Sequence, residues 1–398
     1  MESKKFDFII IGAGLIGLST AYHLKLKYPK KTLLILEKEG QVATHQSGHN
    51  SGVIHSGIYY KPGSLKATNC IAGYKSLVDF AEKHNISYDI CGKIIVATSE
   101  SEILTLNNIF NRGIQNGLTN LKKLNPTEIK EYEPHVAGVA GIHVPQTGII
   151  DYPAVSRKLQ DIICNELEGE ITFNETAQKI IPGEGGHFIE TNSSSYFAGK
   201  IVSCAGLQSD RVADLTEETN NLRIIPFRGE YYKIRSEKEY LVKNLIYPVP
   251  DPKFPFLGVH FTRMINGGIE AGPNAVLAFK REGYQFKDFD SKDVLDTITW
   301  PGFWRVVAKF GKVGIGEMHR SISKSAFTKA LQKLLPEITE DDLVVGGAGV
   351  RAQACNRQGI LIDDFDILES NNIIHVRNAP SPAATSCLSI GKLICEKI

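Results

Sequence analysis

The sequence predicts two interleaved parts: an α/β domain assembled from separated segments, and an α+β domain built on a mainly antiparallel sheet. Three observations predict it. A strand, glycine turn, helix and second strand open the chain between Phe6 and Glu37. A second buried-strand signature, Lys200 to Gly206, and a late strand and helix, Ile373 to Val376 and Ser386 to Ile398, read as returns to the same sheet. Between them, from Ile225 to Ala278, short strand-like runs are separated by Gly and Pro, as in antiparallel sheets. The expected segments are 1–85, 145–220 and 343–398 for the first domain, and 86–144 and 221–342 for the second.

The opening unit carries the most chemistry. Phe6-Asp7-Phe8-Ile9-Ile10-Ile11 is apolar enough for a buried strand, Gly12-Ala13-Gly14-Leu15-Ile16-Gly17 is a tight turn opening a helix, and Thr32 to Leu36 is the next parallel strand. Gly12 permits the turn, Gly14 lets backbone N–H groups approach a pyrophosphate, and Gly17 lets the helix pack on the sheet. Phosphates then sit at the positive helix end. Glu37, about 20 residues past Gly17, is placed to accept hydrogen bonds from a ribose diol, and its charge repels a 2′-phosphate. The spelling predicts a Rossmann-like site for FAD or NAD, not NADP. Glycines alone can simply make turns; the strand, helix, strand and acid in register carry the reading.

The bulk properties set limits. A chain of 398 residues has room for two domains or one large discontinuous one, and 42% hydrophobic residues can fill a sizeable core. A formal net charge of +1 gives no footprint for nucleic acid. An anionic substrate must therefore be drawn in by a few local cations. Seven cysteines show neither a CxxC pair nor metal-like spacing, so free thiols, a reducing compartment and no metal site are expected. No signal peptide fits before a strand at Phe6, and no apolar run reaches the roughly 18 residues of a membrane span. The expectation is a cytoplasmic protein, at most peripheral on the cytoplasmic face of the inner membrane.

After Glu37 and Lys38, the run Gln46-Ser47-Gly48-His49-Asn50-Ser51-Gly52-Val53-Ile54-His55-Ser56-Gly57 is too rich in Gly, Ser and His for a core element. It reads as a loop in which small residues let backbone press on a ligand. Ser64 is a candidate cap for a helix from Leu65 to His84, and Asn125 caps another. Tyr88 to Ala97 reads as a strand or hairpin edge, Ser99 to Asn116 as a helix, Val136 to Val144 as a β element, and Asp151-Tyr152-Pro153 as the start of a helix to about Leu167. Leu257 to Thr262 is one of the later strands. Leu343 to Gly347 is expected to join Ile373 to Val376 in the nucleotide sheet. Trp300 to Glu317 and Ser321 to Leu335 read as helices, the first bearing Trp300, Phe303, Trp304 and Phe310. Those aromatics suit core packing, with a membrane-facing patch as the alternative.

The interleaving favours a flavin over nicotinamide. The second half of a complete nicotinamide sheet is missing from the first 200 residues, and the carboxyl end comes back instead. A flavin's adenine end would lie on the opening unit and its ring would reach toward the β-sheet domain. A late helix, after Ala383-Ala384-Thr385, would stabilise negative charge on the reduced ring. The expected cofactor contacts are Gly12, Gly14, Leu15, Ile16, Gly17, Glu37, Lys38, Ser47, Gly48, His49, Asn50, Ser51, Gly52, Ala205, Gly206, Gly349, Ala383, Ala384 and Thr385.

Five ordered motifs add a resemblance. Gly48-His49-Asn50-Ser51-Gly52-Val53-Ile54-His55-Ser56-Gly57, Arg228-Gly229-Glu230-Tyr231-Tyr232, Gly272-Pro273-Asn274-Ala275-Val276-Leu277-Ala278, Gly349-Val350-Arg351-Ala352-Gln353 and Asn378-Ala379-Pro380-Ser381-Pro382-Ala383-Ala384 span nearly the whole chain. Together they resemble the L-2-hydroxyglutarate oxidase/dehydrogenase family of D-amino-acid oxidase-like, FAD-dependent oxidoreductases. The resemblance implies FAD, and oxidation of L-2-hydroxyglutarate to 2-oxoglutarate.

Such a reaction needs hydride transfer from C2 to flavin N5 and a base for the hydroxyl proton, and histidine suits that task near neutral pH. The candidates are His55, His49 and His260. His55 is favoured because, in related amine-oxidising flavoenzymes, the basic residue closing the equivalent loop faces the ring. Read alone, each histidine is as readily a satisfied structural residue. Guanidinium groups bind carboxylates bidentately, so Arg351 is expected at the C1 carboxylate and Arg263 or Arg281 at the distal one; a surface salt bridge is the plain alternative for each. Tyr59, Tyr60 and Tyr247 could hydrogen-bond substrate or simply pack. Some relatives in the sarcosine-oxidase branch attach flavin through a cysteine shortly after a comparable arginine, and Cys355 stands in that relation to Arg351; packing of the thiol is the competing account.

The alternatives are a flavoenzyme on the same fold acting on glycerol 3-phosphate or an amino acid, and a flavin-bound redox sensor without turnover. The sequence leaves the electron acceptor open between a quinone and oxygen.

Overall fold

The computed structural model describes residues 3–216, 221–251 and 258–398, apart from the side chains of 312 and 313. Five parallel strands stand side by side in the order Glu170–Thr172, Leu33–Leu36, Lys4–Ile11, Ser195–Ser203 and Ile373–Asn378. Asp366–Ser370 extends that edge antiparallel, and the hairpin of Ala177–Gly183 and Gly186–Thr191 pairs with the first half of Ser195–Ser203. Both faces of the parallel strands are buried, which is why Ile9-Ile10-Ile11 and Leu33–Leu36 read as unbroken apolar runs. Helices Leu15–Lys27 and Cys387–Glu396 cover one face. They meet so closely that a Cβ on Gly391 would lie 2.3 Å from Ser19 Oγ.

The second sheet is mainly antiparallel and has nine strands, in the order Val276–Leu277, Leu222–Ile234, Ile269–Gly272, His260–Arg263, Leu245–Pro248, Lys93–Ala97, Ala140–Val144 and Lys122–Leu124, with Leu343–Asn356 also paired to Leu222–Ile234. Among the described residues of this sheet, only Lys93–Ala97 and Leu245–Pro248 pair parallel. The expected return of Leu343 to Gly347 to the nucleotide sheet does not occur. That segment begins a 14-residue strand whose ladder runs along the 13-residue strand Leu222–Ile234, placing Arg351 opposite Phe227 and Gly349 opposite Gly229. The long partner satisfies far more backbone N–H and C=O groups than the six-residue strand Ile373–Asn378 could.

Local signals held where caps define them. Ser64 Oγ accepts from Ala67 N at the start of Leu65–Lys83, Asn125 forms a capping box with Glu128, and Asp151 caps Tyr152–Asp161. Helix Pro301–Ile322 runs past the expected end at Glu317, and the next, Lys324–Leu331, starts at a Ser323 cap rather than at Ser321. The expected strand start at Leu257 lies outside the described residues. Trp300 and Phe303 are buried, whereas Trp304 is 57% exposed, so the aromatics divide between core and surface.

Period-two alternation gives the antiparallel sheet two different faces. Ile94, Val96, Ile246, Phe261 and Ala271 pack with Phe327 and Leu331 in one apolar core. Lys93, Tyr247 and His260, one residue out of phase, belong to the opposite face.

Candidate active site

The glycine turn is built for close approach. Gly12 has φ +106°, a Cβ there would lie 2.6 Å from Cys204 O, and a Cβ on Gly17 would lie 1.9 Å from Gly12 O. No side chain caps helix Leu15–Lys27 at Gly14, although Ser47 Oγ accepts from Leu15 N at 2.9 Å. The buried Glu37 carboxylate accepts from Ala13 N at 2.7 Å and from Glu39 N at 2.9 Å. Each oxygen keeps a lone pair for a ribose hydroxyl. Ala205 and Gly206, the latter at φ +53°, follow strand Ser195–Ser203 beside this turn.

Lys38 sits in a cluster of charged side chains. Its ammonium pairs with Glu39 and Glu282 and bonds His45 Nε2, the last two at 2.9 Å. The side chain is drawn into that cluster, beside the end of the Glu37 strand. Glu39, His45 and Glu282 are the group with metal-ligand spacing among the described residues, and the Lys38 ammonium stands among them in the place of a cation.

The loop after Glu37 ties the two sheets together. Asn50 Oδ1 accepts from Gly52 N, and its Nδ2 donates to the carbonyls of Gln46 and Ser47. A Cβ on Gly48 would lie 2.2 Å from Ala43 O, and one on Gly349 would lie 2.5 Å from His49 O. Asn50 and Gly48 therefore shape the loop, with half-buried Ser51 and positive-φ Gly52 completing it. The His49 ring stacks 4.0 Å from Tyr284, and its Nδ1 bonds Ala348 O at 3.0 Å. These contacts fix the orientation of its ring.

His55 emerges from the same loop into a different environment. Its backbone N donates to Thr385 Oγ1 at 3.0 Å, and its Nε2 lies 3.4 Å from Ser381 Oγ. Thr385 is fully buried, also bonding Tyr152 Oη at 3.0 Å and Val53 O at 3.3 Å. Its hydroxyl thus pins the loop to the late turn. Ala383 and Ala384 lead to helix Cys387–Glu396, whose cap residue Ser386 makes no side-chain cap bond.

Around His55 stand His260, Lys93 and Arg351. Burial, then the charges of Lys93, His260, Arg351 and Lys66, hold the His55 imidazole at about 3, well below the usual histidine range. His260 is held at about 3 by burial, with Arg351 and Lys93 adding to the effect; its Nδ1 bonds Gly258 O at 2.9 Å and its ring lies 4.0 Å from Tyr247. Tyr231 hydrogen-bonds Arg351. Lys93, missed by the sequence reading, is only 2% exposed, with Nζ 4.6 Å and 4.7 Å from the Tyr59 and Tyr247 ring centroids. Tyr59, Tyr60, Tyr231 and His55 are desolvated by surrounding protein yet keep accessible surface, as walls of a cleft do.

Arg263, Arg281 and Cys355, each weighed for the site, have other partners. Arg263 pairs with Asp89. Arg281 is wholly buried against Asp210, Asp293 and Asp296, and locks helix Ser291–Ile298 to the chain. Cys355 packs with Ile225, Trp300, Phe303 and Val306, and burial pushes its thiol up to about 11. All seven cysteines are free thiols.

The glycine turn with its pinned acid defines a dinucleotide-binding protein, and His55, His260, Lys93 and Arg351 form a separate group of ionisable side chains within electrostatic reach of one another. The family model "FAD dependent oxidoreductase" matches residues 7–397. The L-2-hydroxyglutarate dehydrogenase of Indibacter alkaliphilus is 54% identical over 98% of both chains. The mitochondrial L-2-hydroxyglutarate dehydrogenase of Homo sapiens is 44% identical over 100% of this chain and 89% of its own. The chain belongs to the FAD-dependent oxidoreductase family and, within it, groups with the L-2-hydroxyglutarate dehydrogenases. A solved L-α-glycerophosphate oxidase from Mycoplasma pneumoniae, with FAD bound, superposes with a TM-score of 0.80 at 23% identity, over 100% of this chain and 96% of its own. That likeness shows a shared fold. The cofactor is FAD, and the glycine cradle with the pinned Glu37 fits its dinucleotide part.

Proposed function

We propose that the chain oxidises L-2-hydroxyglutarate to 2-oxoglutarate, with Arg351 holding the C1 carboxylate and His55 taking the hydroxyl proton. The observation that carries this reading is that His260, Lys93 and Arg351 all lie within electrostatic reach of His55 in a nearly neutral chain. Bound FAD supplies the acceptor for the hydride leaving C2. Arg351 orients the substrate by a planar, charge-assisted contact that fixes both carboxylate oxygens. His55 is neutral well below pH 7, so its ring is free to accept the proton as the carbonyl forms. A bound dianion offsets the charges of Lys93 and Arg351, raises the His55 pKa toward neutrality and strengthens the base when substrate is present.

Anaerobic addition of substrate, followed by visible flavin absorbance, tests the reading. L-2-hydroxyglutarate is expected to bleach the flavin, while the D form, glycerol 3-phosphate and amino acids leave it oxidised. Bleaching by glycerol 3-phosphate or an amino acid alone would move the chain to a different substrate class, and no bleaching at all would favour a redox sensor.

The reading extends to a quinone acceptor, in preference to oxygen, reached at the cytoplasmic face of the inner membrane. No helix among the described residues is long and apolar enough to cross a membrane. Trp304, Leu295 and Ile298 are nevertheless exposed on Ser291–Ile298 and Pro301–Ile322, which also carry Lys292, Arg305 and Lys309. Apolar side chains among cations suit an anionic bilayer surface. Flotation with anionic vesicles is expected, and lost in Trp304→Glu; a protein that stays at the bottom of the gradient removes this extension and favours oxygen.

A further inference from the structure

With Arg263 and Arg281 committed to aspartates, the substrate's distal carboxylate has neither of its expected partners. The strand Lys93–Ala97 supplies another. Lys93 is the lone charged residue of an otherwise apolar, fully buried strand, and among the described residues no carboxylate pairs with it. Its ammonium is held between the faces of Tyr59 and Tyr247. Two electron-rich ring faces attract a cation but do not neutralise it. A desolvated ammonium without a counter-ion is costly, and an incoming carboxylate relieves the cost. His55 and His260 both lie within electrostatic reach of Lys93 and of Arg351, which puts the two cations around the same pair of histidines.

We propose that Lys93, between Tyr59 and Tyr247, binds the second carboxylate of the substrate and selects dicarboxylic over monocarboxylic 2-hydroxy acids. This rests on the reading of the cleft as a 2-hydroxy-acid site. Arg351 fixes the end that reacts; Lys93 fixes the end that does not.

The test compares L-2-hydroxyglutarate with L-2-hydroxyvalerate, which has the same number of carbons and a methyl group where the distal carboxylate stands. For Lys93→Met, kcat/KM for the dicarboxylate is expected to fall roughly 10- to 100-fold, as for loss of a charged hydrogen bond. The value for L-2-hydroxyvalerate is expected to stay level or rise, so discrimination collapses. An equal fall for both substrates would overturn the proposal and assign Lys93 to proton transfer instead. If wild-type flavin is reduced by no L-2-hydroxy acid, the parent reading fails, a result distinct from either.

A measurement on the wild-type protein keeps the proposal testable should the variant lose its flavin. Burial holds the Lys93 ammonium at about 7, so it is charged below that pH and neutral above. The groups around it titrate elsewhere: Tyr59, Tyr247 and Cys70 are pushed up, and His55 and His260 down. Arg351 stays charged throughout. For the dicarboxylate, kcat/KM is therefore expected to decline as pH rises through about 7, and for L-2-hydroxyvalerate to lack that limb. Identical profiles for the two substrates would overturn the assignment.

Discussion

Asparagine in place of His55 is expected to lower kcat by on the order of 10²- to 10⁴-fold while the protein remains yellow. Two contacts tie His55 to the late turn: its backbone N–H to Thr385, which the substitution leaves intact, and its Nε2 near Ser381 Oγ, which it replaces. The glycine cradle and Glu37 are separate from the imidazole, so loss of flavin is not the expected route to inactivity. Asparagine keeps a polar group near Ser381 but cannot take a proton. Turnover near the wild-type value would remove His55 from the role. His260→Asn is the decisive comparison, because both rings are neutral at physiological pH and both feel Lys93 and Arg351. A larger loss there would transfer the base to His260. If His55 is the base, the acid limb of kcat/KM should fall below the ordinary histidine range, since burial and cations favour its uncharged form.

Much of the scaffold was legible because short-range chemistry fixes it. Gly12, Gly14, Gly17 and Glu37 sit where a strand, a turn and a helix must place them, and the Ser64, Asn125 and Asp151 caps mark helix starts. Leu343–Asn356 was misplaced because its choice between two sheets depends on a partner more than a hundred residues away, and no local pattern names that partner. The site divides in the same way. His55 and Arg351 are recognisable from their motifs, whereas nothing local to Arg263 and Arg281 shows which aspartates the fold brings to them. Lys93 did leave a trace: a charged residue in phase with the buried positions of Lys93–Ala97. Its meaning depends on Tyr59 and Tyr247, which two other segments deliver.

Arg351→Met is expected to reduce kcat/KM by on the order of 1,000-fold, because it leaves a carboxylate in the cleft without its paired charge. Arg351→Lys should fall in between, since an ammonium supplies charge without the planar fork. The strand position explains why this arginine has such leverage. It lies opposite Phe227 in the long antiparallel pair, hydrogen-bonds Tyr231, and acts on both histidines. Methionine retains much of the side-chain length, and the paired backbone of Leu343–Asn356 is unchanged, so the spectrum of bound flavin should persist. If Arg351 grips the end of the substrate that reacts, kcat must fall along with kcat/KM, because C2 is no longer held for transfer. A variant with raised KM and unchanged kcat would show that Arg351 only gathers anions into the cleft. Equal kinetics in wild type and Arg351→Met would place the C1 carboxylate elsewhere, with Lys93 the remaining cation able to receive it.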